Sequence, residues 1–67
     1  MPLEIIVNGE SRITPLLSIL DYLRTLEIDP SRVAVELNLD ILPKGEYATT
    51  LLKQGDRLEI VQFVGGG

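Results

Sequence analysis

One stretch of this chain changes its hydrophobic period, and that change limits the folds open to it. In ITPLLSILDYLRTLEIDP, residues 13 to 30, the apolar side chains Leu16, Ile19, Leu20, Leu23 and Leu26 recur at three- and four-residue spacing, which lines them along one stripe of a helix. Thr14 offers a hydroxyl to cap the start, and Pro15 suits a first turn because its missing N–H has no partner there anyway. Pro30 pushes Asp29 out of helical geometry and so ends the segment. A helix of about 12 residues, some 18 Å long, matches the length of one short strand. The other patterned segments repeat every two residues or run continuously apolar, so this sequence predicts one helix on one sheet.

LEIIV at 3 to 7 is apolar and mostly β-branched, and Asn8-Gly9 supplies the positive φ angles of a two-residue hairpin turn. A second strand is expected from Glu10 to Ile13. RVAVEL at 32 to 37 alternates Val33, Val35 and Leu37 with Arg32, Ala34 and Glu36, the pattern of a strand with one buried face. NLDILPKGEYATT is interrupted by Pro43 and Gly45, which leaves room for a short edge strand near Ile41 and Leu42 and a turn near Lys44 to Tyr47. KQGD at 53 to 56 is a turn, and RLEIVQFV at 57 to 64 is the last strand. That order gives an α+β fold, with one helix packed across one face of a sheet of four to five strands. The predicted core is Leu3, Ile5, Val7, Ile13, Leu16, Leu20, Leu23, Val33, Val35, Leu58 and Ile60. Sixty-seven residues supply a single domain, read as 1–64, followed by a flexible tail at 65–67.

The side-chain inventory narrows the chemistry. There is no cysteine and no histidine, which removes thiolate nucleophiles, the commonest metal ligands and the commonest general base. The acidic residues form no recognisable acid–base couple on so small and open a scaffold. Tyr22 and Tyr47 read as packing residues. A net charge of −4 with scattered Lys and Arg argues against nucleic acid and for a basic protein partner. The opening MPLEIIVNGE lacks a basic leader, and no long apolar run follows it, so a cytoplasmic setting without a membrane is expected.

If Leu58 and Ile60 face the helix, Glu59, Val61 and Phe63 point to the opposite, uncovered face. Ile6 and Ala34 share that parity, so Ile6, Ala34, Val61 and Phe63 are expected to form a docking patch rimmed by Glu4, Glu36 and Glu59. The plainer readings are that Val61 and Phe63 follow β-propensity alone or are covered by residues 38 to 52. One reactive group remains, the terminal carboxylate of Gly67. Gly65, Gly66 and Gly67 extend about 10 Å and carry no side chain to jam in a channel. Ordering them costs roughly 3–6 kcal/mol, so a partner that threads the tail must also grip the body. A frayed end or a cloning remnant is the plain alternative.

VAVELN at 33 to 38, LP at 42 and 43, and GDRLEIVQFVGGG at 55 to 67 resemble the ThiS family, the sulfur carriers of thiamine thiazole synthesis. The resemblance implies a β-grasp, ubiquitin-like fold with the first and last strands parallel at the sheet centre. It also implies a carrier protein, not an enzyme, that serves as co-substrate of its partners. A ThiF-like enzyme would use ATP and magnesium to adenylate the carboxylate of Gly67, with Gly65 and Gly66 threaded beside it. A sulfur donor protein would convert the acyl-adenylate to a thiocarboxylate, and a ThiG-like thiazole synthase would take the sulfur. This chain itself would bind no cofactor, and no phosphate-cradling GxxxxGK[ST] motif occurs in it. Many ThiS relatives carry a tight Gly- or Glu-containing turn after Asn38, where this chain has LDI. Three rivals stand beside this reading: a MoaD-like carrier for molybdopterin synthesis, a ubiquitin-like modifier joined to lysines through Gly67, and an interaction module using only the open sheet face.

Overall fold

The computed structural model describes residues 2–63. Met1, Val64 and the tail residues Gly65, Gly66 and Gly67 lie outside the described residues.

Strands β1 (Leu3–Val7) and β2 (Glu10–Thr14) form an antiparallel hairpin around Asn8 and Gly9. Both turn residues hold positive φ, 50° and 83°, the geometry whose twist matches that of the flanking strands. A second hairpin repeats the device with β3 (Val33–Leu37) and β4 (Asp40–Leu42), and Leu37 faces Asp40 across it. Its turn residues, Asn38 and Leu39, lie at φ 53° and 75°. The last strand, β5 (Arg57–Gln62), enters between the hairpins, parallel to β1 and antiparallel to β3. The sheet order is therefore β2-β1-β5-β3-β4. A five-stranded mixed sheet with the first and last strands adjacent and parallel, crossed by one helix, is the β-grasp fold.

The helix, α1, covers Ile19–Thr25 and is shorter than the periodicity predicts. Ser18, not Thr14, is its cap, and the Ser18 hydroxyl accepts the amide of Asp21 at 3.1 Å. Thr14 instead closes β2 opposite Leu3 and is buried. The following residues are held by the chain beyond Tyr47: the Leu52 amide donates to the Leu17 carbonyl at 2.9 Å, and Ser18 bridges Leu51. Pairing between distant segments thus overrides the helix-start signal at Pro15. At the other end the helix stops well before Pro30, where Glu27 turns left-handed at φ 59° and its amide donates to the Arg24 carbonyl.

Between helix and sheet lie Ile5, Ile19, Leu23, Val33, Val35, Leu52 and Leu58, all essentially without solvent contact, with Tyr22, Tyr47 and Ile60 completing the core. Leu3, Val7 and Leu20 pack against this cluster. Ile13 and Leu16, expected inside, are 68% and 59% exposed. Ile13 sits opposite Glu4 and points away from the helix, while its neighbour Thr14 points toward it. Leu16 precedes the helix and so misses its buried stripe. Tyr47 and Leu52 take up the space instead. They come from the irregular segment, which is tied along α1 by the amides of Ile19 and Leu20 donating to the carbonyls of Thr50 and Tyr47, both at 2.9 Å.

Candidate docking face and tail root

β5 is held by more than its ladders. The Asn8 side chain accepts the Ile60 amide at 2.7 Å and donates to the Ile60 carbonyl at 3.2 Å, so a turn residue does for β5 what a strand neighbour would. Asn38 does the same at the start of β5, accepting the Arg57 amide through its side chain at 2.9 Å and donating its own amide to the Arg57 carbonyl at 2.8 Å. Its Nδ2 also donates to the buried Asp56 carboxylate at 3.1 Å, and Asp56 accepts the Lys53 amide at 2.8 Å. At the far end the Phe63 amide donates to the Arg32 carbonyl at 2.9 Å. The strand that leads to residue 64 is fixed on both flanks and at both ends.

The face turned from the helix carries Arg57, Glu59 and Val61 of β5, and it is open. Val61 and Phe63 are 58% and 56% exposed, so residues 38 to 52 leave most of their surface open, with Lys44 of that segment reaching the Phe63 ring. Ala34 lies directly opposite Val61. These three residues form one apolar spot next to the point where the described chain ends.

Ile6 lies elsewhere on the same face. It pairs with Arg57, four residues before Val61, which places it roughly 13 Å away along the strand direction. Its diagonal neighbour there is the exposed Ile13. Between the two spots Glu36 and Glu59 face each other across β3 and β5. The expected single patch is therefore divided, with these glutamates interrupting it instead of rimming it, because the parallel register between β1 and β5 offsets Ile6 from Val61. Among the described residues the ion pairs are Arg12 with Glu10, Arg24 with Asp21 and Arg32 with Asp29. Neither Glu36 nor Glu59 belongs to one, and like charges directly opposite on a sheet disfavour it slightly.

One residue beside Phe63 escaped sequence reasoning. Lys44, in the 3₁₀ turn Lys44–Glu46 after β4, donates through Nζ to the Val33 carbonyl at 2.6 Å and holds its ammonium 5.7 Å from the centre of the Phe63 ring. No spacing marks a lysine after a proline for such a contact. Nearby, Asp29 is held below the ordinary aspartate range, first by the Ser31 hydroxyl and amide that donate to it, then by the charges of Arg32 and Lys44.

At the opposite end of β5 a shallow hollow of about 220 Å³ lies between Asn38, Leu39, Gly55 and Arg57. Among the described residues no group of three or more His, Cys, Asp or Glu side chains is placed to hold a metal ion. No helix there is long and apolar enough to cross a membrane.

A β-grasp body whose central last strand runs toward a glycine-rich end, beside an open apolar spot, places this chain among the small ubiquitin-like proteins. Residues 5–67 match the model of the ThiS family, and the chain belongs to that family. The crystal structure of thiamine biosynthesis protein ThiS from Geobacter metallireducens superposes with a TM-score of 0.82 at 30% identity, covering 97% of this chain and all of that one. The solution structure of a thiamine biosynthesis protein from the same organism gives 0.80 at 32% identity, covering 97% and 88%. In sequence, the chain is 42% identical over 66 residues to a thiazole synthase of Paramagnetospirillum magneticum. That alignment takes in 97% of this chain but 20% of the synthase, so the chain spans about one fifth of the length of the thiazole synthases it matches. An uncharacterized protein ycf40 of Pyropia yezoensis is 39% identical, with 97% and 93% covered.

Proposed function

We propose that this chain is a sulfur carrier for thiamine thiazole synthesis, working at the carboxylate of Gly67. The observation that carries the reading is that nearly the whole chain aligns within proteins named thiazole synthase while matching a stand-alone ThiS structure end to end. A module that occurs within a synthase and also as a separate protein is suited to serve that synthase.

In this reading an oxygen of the Gly67 carboxylate attacks the α-phosphate of ATP on a ThiF-like enzyme, and pyrophosphate leaves. A carboxylate is a poor electrophile, and the acyl-adenylate supplies the leaving group it lacks. The persulfide sulfur of a donor protein then attacks the acyl carbon and displaces AMP, and a thiol reduces the resulting acyl disulfide, which frees the donor's own thiol and leaves the thiocarboxylate that a ThiG-like synthase consumes. ATP and magnesium belong to the activating enzyme. Gly65 and Gly66 thread its channel, while Ala34, Val61 and Phe63, with Glu59 and Ile6 farther along the face, grip its surface. The cytoplasm, where such enzymes and ATP coexist, is the setting this implies.

Intact-mass spectrometry after incubation with ATP, magnesium, a ThiF-like enzyme and a sulfur donor tests it. The expected product gains the mass difference of one sulfur for one oxygen, and removal of Gly67 abolishes the gain without lowering the melting temperature. Full-length protein that stays at its original mass with an enzyme active on another carrier refutes the reading, and adducts on lysines mark a protein modifier instead. Phe63→Ala is expected to weaken binding to the activating enzyme by roughly 1–2 kcal/mol, as for a central aromatic anchor.

A further inference from the structure

Lys44 belongs to the connection after β4, yet its side chain ends at the last described residue of the chain. Two contacts define that placement. β4 pairs with β3 only from Leu37 to Val35, so beyond Val35 the edge of β3 has no strand beside it, and there the Lys44 ammonium takes the Val33 carbonyl at 2.6 Å. The same ammonium lies 5.7 Å from the Phe63 ring centre, within the range in which a cation is drawn to an aromatic face. Phe63 is more than half exposed and lies beyond the last paired residue of β5, Gln62. Its backbone amide donates one hydrogen bond to the Arg32 carbonyl. An exposed aromatic side chain with so little around it samples several rotamers unless something holds it.

We propose that Lys44 is a positioning residue for the tail root: anchored on the Val33 carbonyl, its ammonium holds the Phe63 ring in the orientation in which the open face presents it to the activating enzyme. This rests on the carrier function proposed above. Lys44 touches no reacting atom, so it acts on how well the body is gripped and not on the acyl-transfer steps. A ring held in its bound orientation loses less freedom on docking.

The test is ATP–pyrophosphate exchange by the activating enzyme as a function of carrier concentration. Lys44→Gln retains a donor for the Val33 carbonyl and removes the charge. It is expected to raise the KM for the carrier about two- to fivefold at unchanged kcat, a size set by exposed cation–π contacts. Lys44→Arg keeps both donor and cation and is expected to restore the wild-type KM. In a Phe63→Leu background, Lys44→Gln is expected to add nothing. Melting temperatures of all variants separate a loss of grip from a loss of fold.

A KM for Lys44→Gln equal to wild type, or an equal rise in the Phe63→Leu background, overturns the proposal. A fall in kcat at constant KM does so as well. If wild-type carrier supports no exchange, the carrier reading itself fails and this role falls with it. The ring-current shift on the Lys44 side-chain protons, lost in Phe63→Leu, reports the contact independently of any enzyme.

Discussion

Replacing Leu39 by glycine is expected to stabilise this protein, although it deletes an entire apolar side chain. Leu39 is the second residue of the two-residue turn between β3 and β4, at φ 75°. In that left-handed region a side chain such as leucine's crowds the following carbonyl, at a cost of roughly 1–2 kcal/mol. The side chain is 78% exposed, so little burial is lost with it. Glycine also loosens the unfolded chain, which offsets about 0.4–1 kcal/mol of the gain. The net expectation is about 0.5–1 kcal/mol, equivalent to a rise in melting temperature of roughly 2–8 °C for a domain this small. Leu39→Asn serves as the companion, because asparagine tolerates the left-handed region without adding backbone freedom. Thermal melts by circular dichroism, with urea titrations as a check, measure both. If the two variants melt at or below the wild-type temperature, the reasoning is wrong, and Leu39 earns its place through contacts along the hollow with Gly55 and Arg57.

Asn8→Ala removes both side-chain bonds to Ile60 and puts a less tolerant residue at φ 50°; a loss of about 2–3 kcal/mol in urea titration is expected. Leu52→Ala, at a site without solvent contact, is expected to cost about 2–5 kcal/mol, whereas Ile13→Ser on the open face should stay within about 0.5 kcal/mol; equal losses would contradict the burial described. Tyr22 and Tyr47 have phenol pKa values raised, in both cases chiefly by burial. The folded state therefore prefers the neutral phenols, so their contribution is intact below the ordinary value of about 10 and is lost as pH rises through the higher folded values. Melting temperature should decline above pH 10 and decline less in a Tyr22→Phe, Tyr47→Phe double variant.

The strands and the first hairpin are legible in the sequence because their signals are local: a two-residue alternation, or an Asn-Gly pair that accepts positive φ; the second hairpin turns on Asn38-Leu39, where leucine hides the signal. Even the exposure of Ile13 follows from such a signal. A two-residue turn sets Val7 opposite Glu10, so Glu10, Arg12 and Thr14 share the face of Val7, and Ile13 takes the other. The start of the helix is not legible, because Thr14-Pro15 suits the end of a strand as well as the start of a helix. The choice is made by Leu51 and Leu52, more than thirty residues away. Tyr22 and Tyr47 are buried as read, but Leu52 hides in a stretch with no period, and its burial comes from being tied to α1. The offset between Ile6 and Val61 and the contact of Lys44 with Phe63 likewise depend on register between distant strands. Of the candidate site, the parity of Ala34, Glu59 and Val61 is readable from alternation, but their division from Ile6 is not.

The central place of β5 also decides how the molecule bears load. Tension applied to the end of β5 along the strand axis acts in line with the ladders to β1 and β3 and across the bonds from Asn8 and Asn38. Those bonds lie sideways to the tension and share it at once, so they must be sheared together and cannot be unzipped one at a time. A strand mounted this way carries load at its end while the body around it keeps its shape.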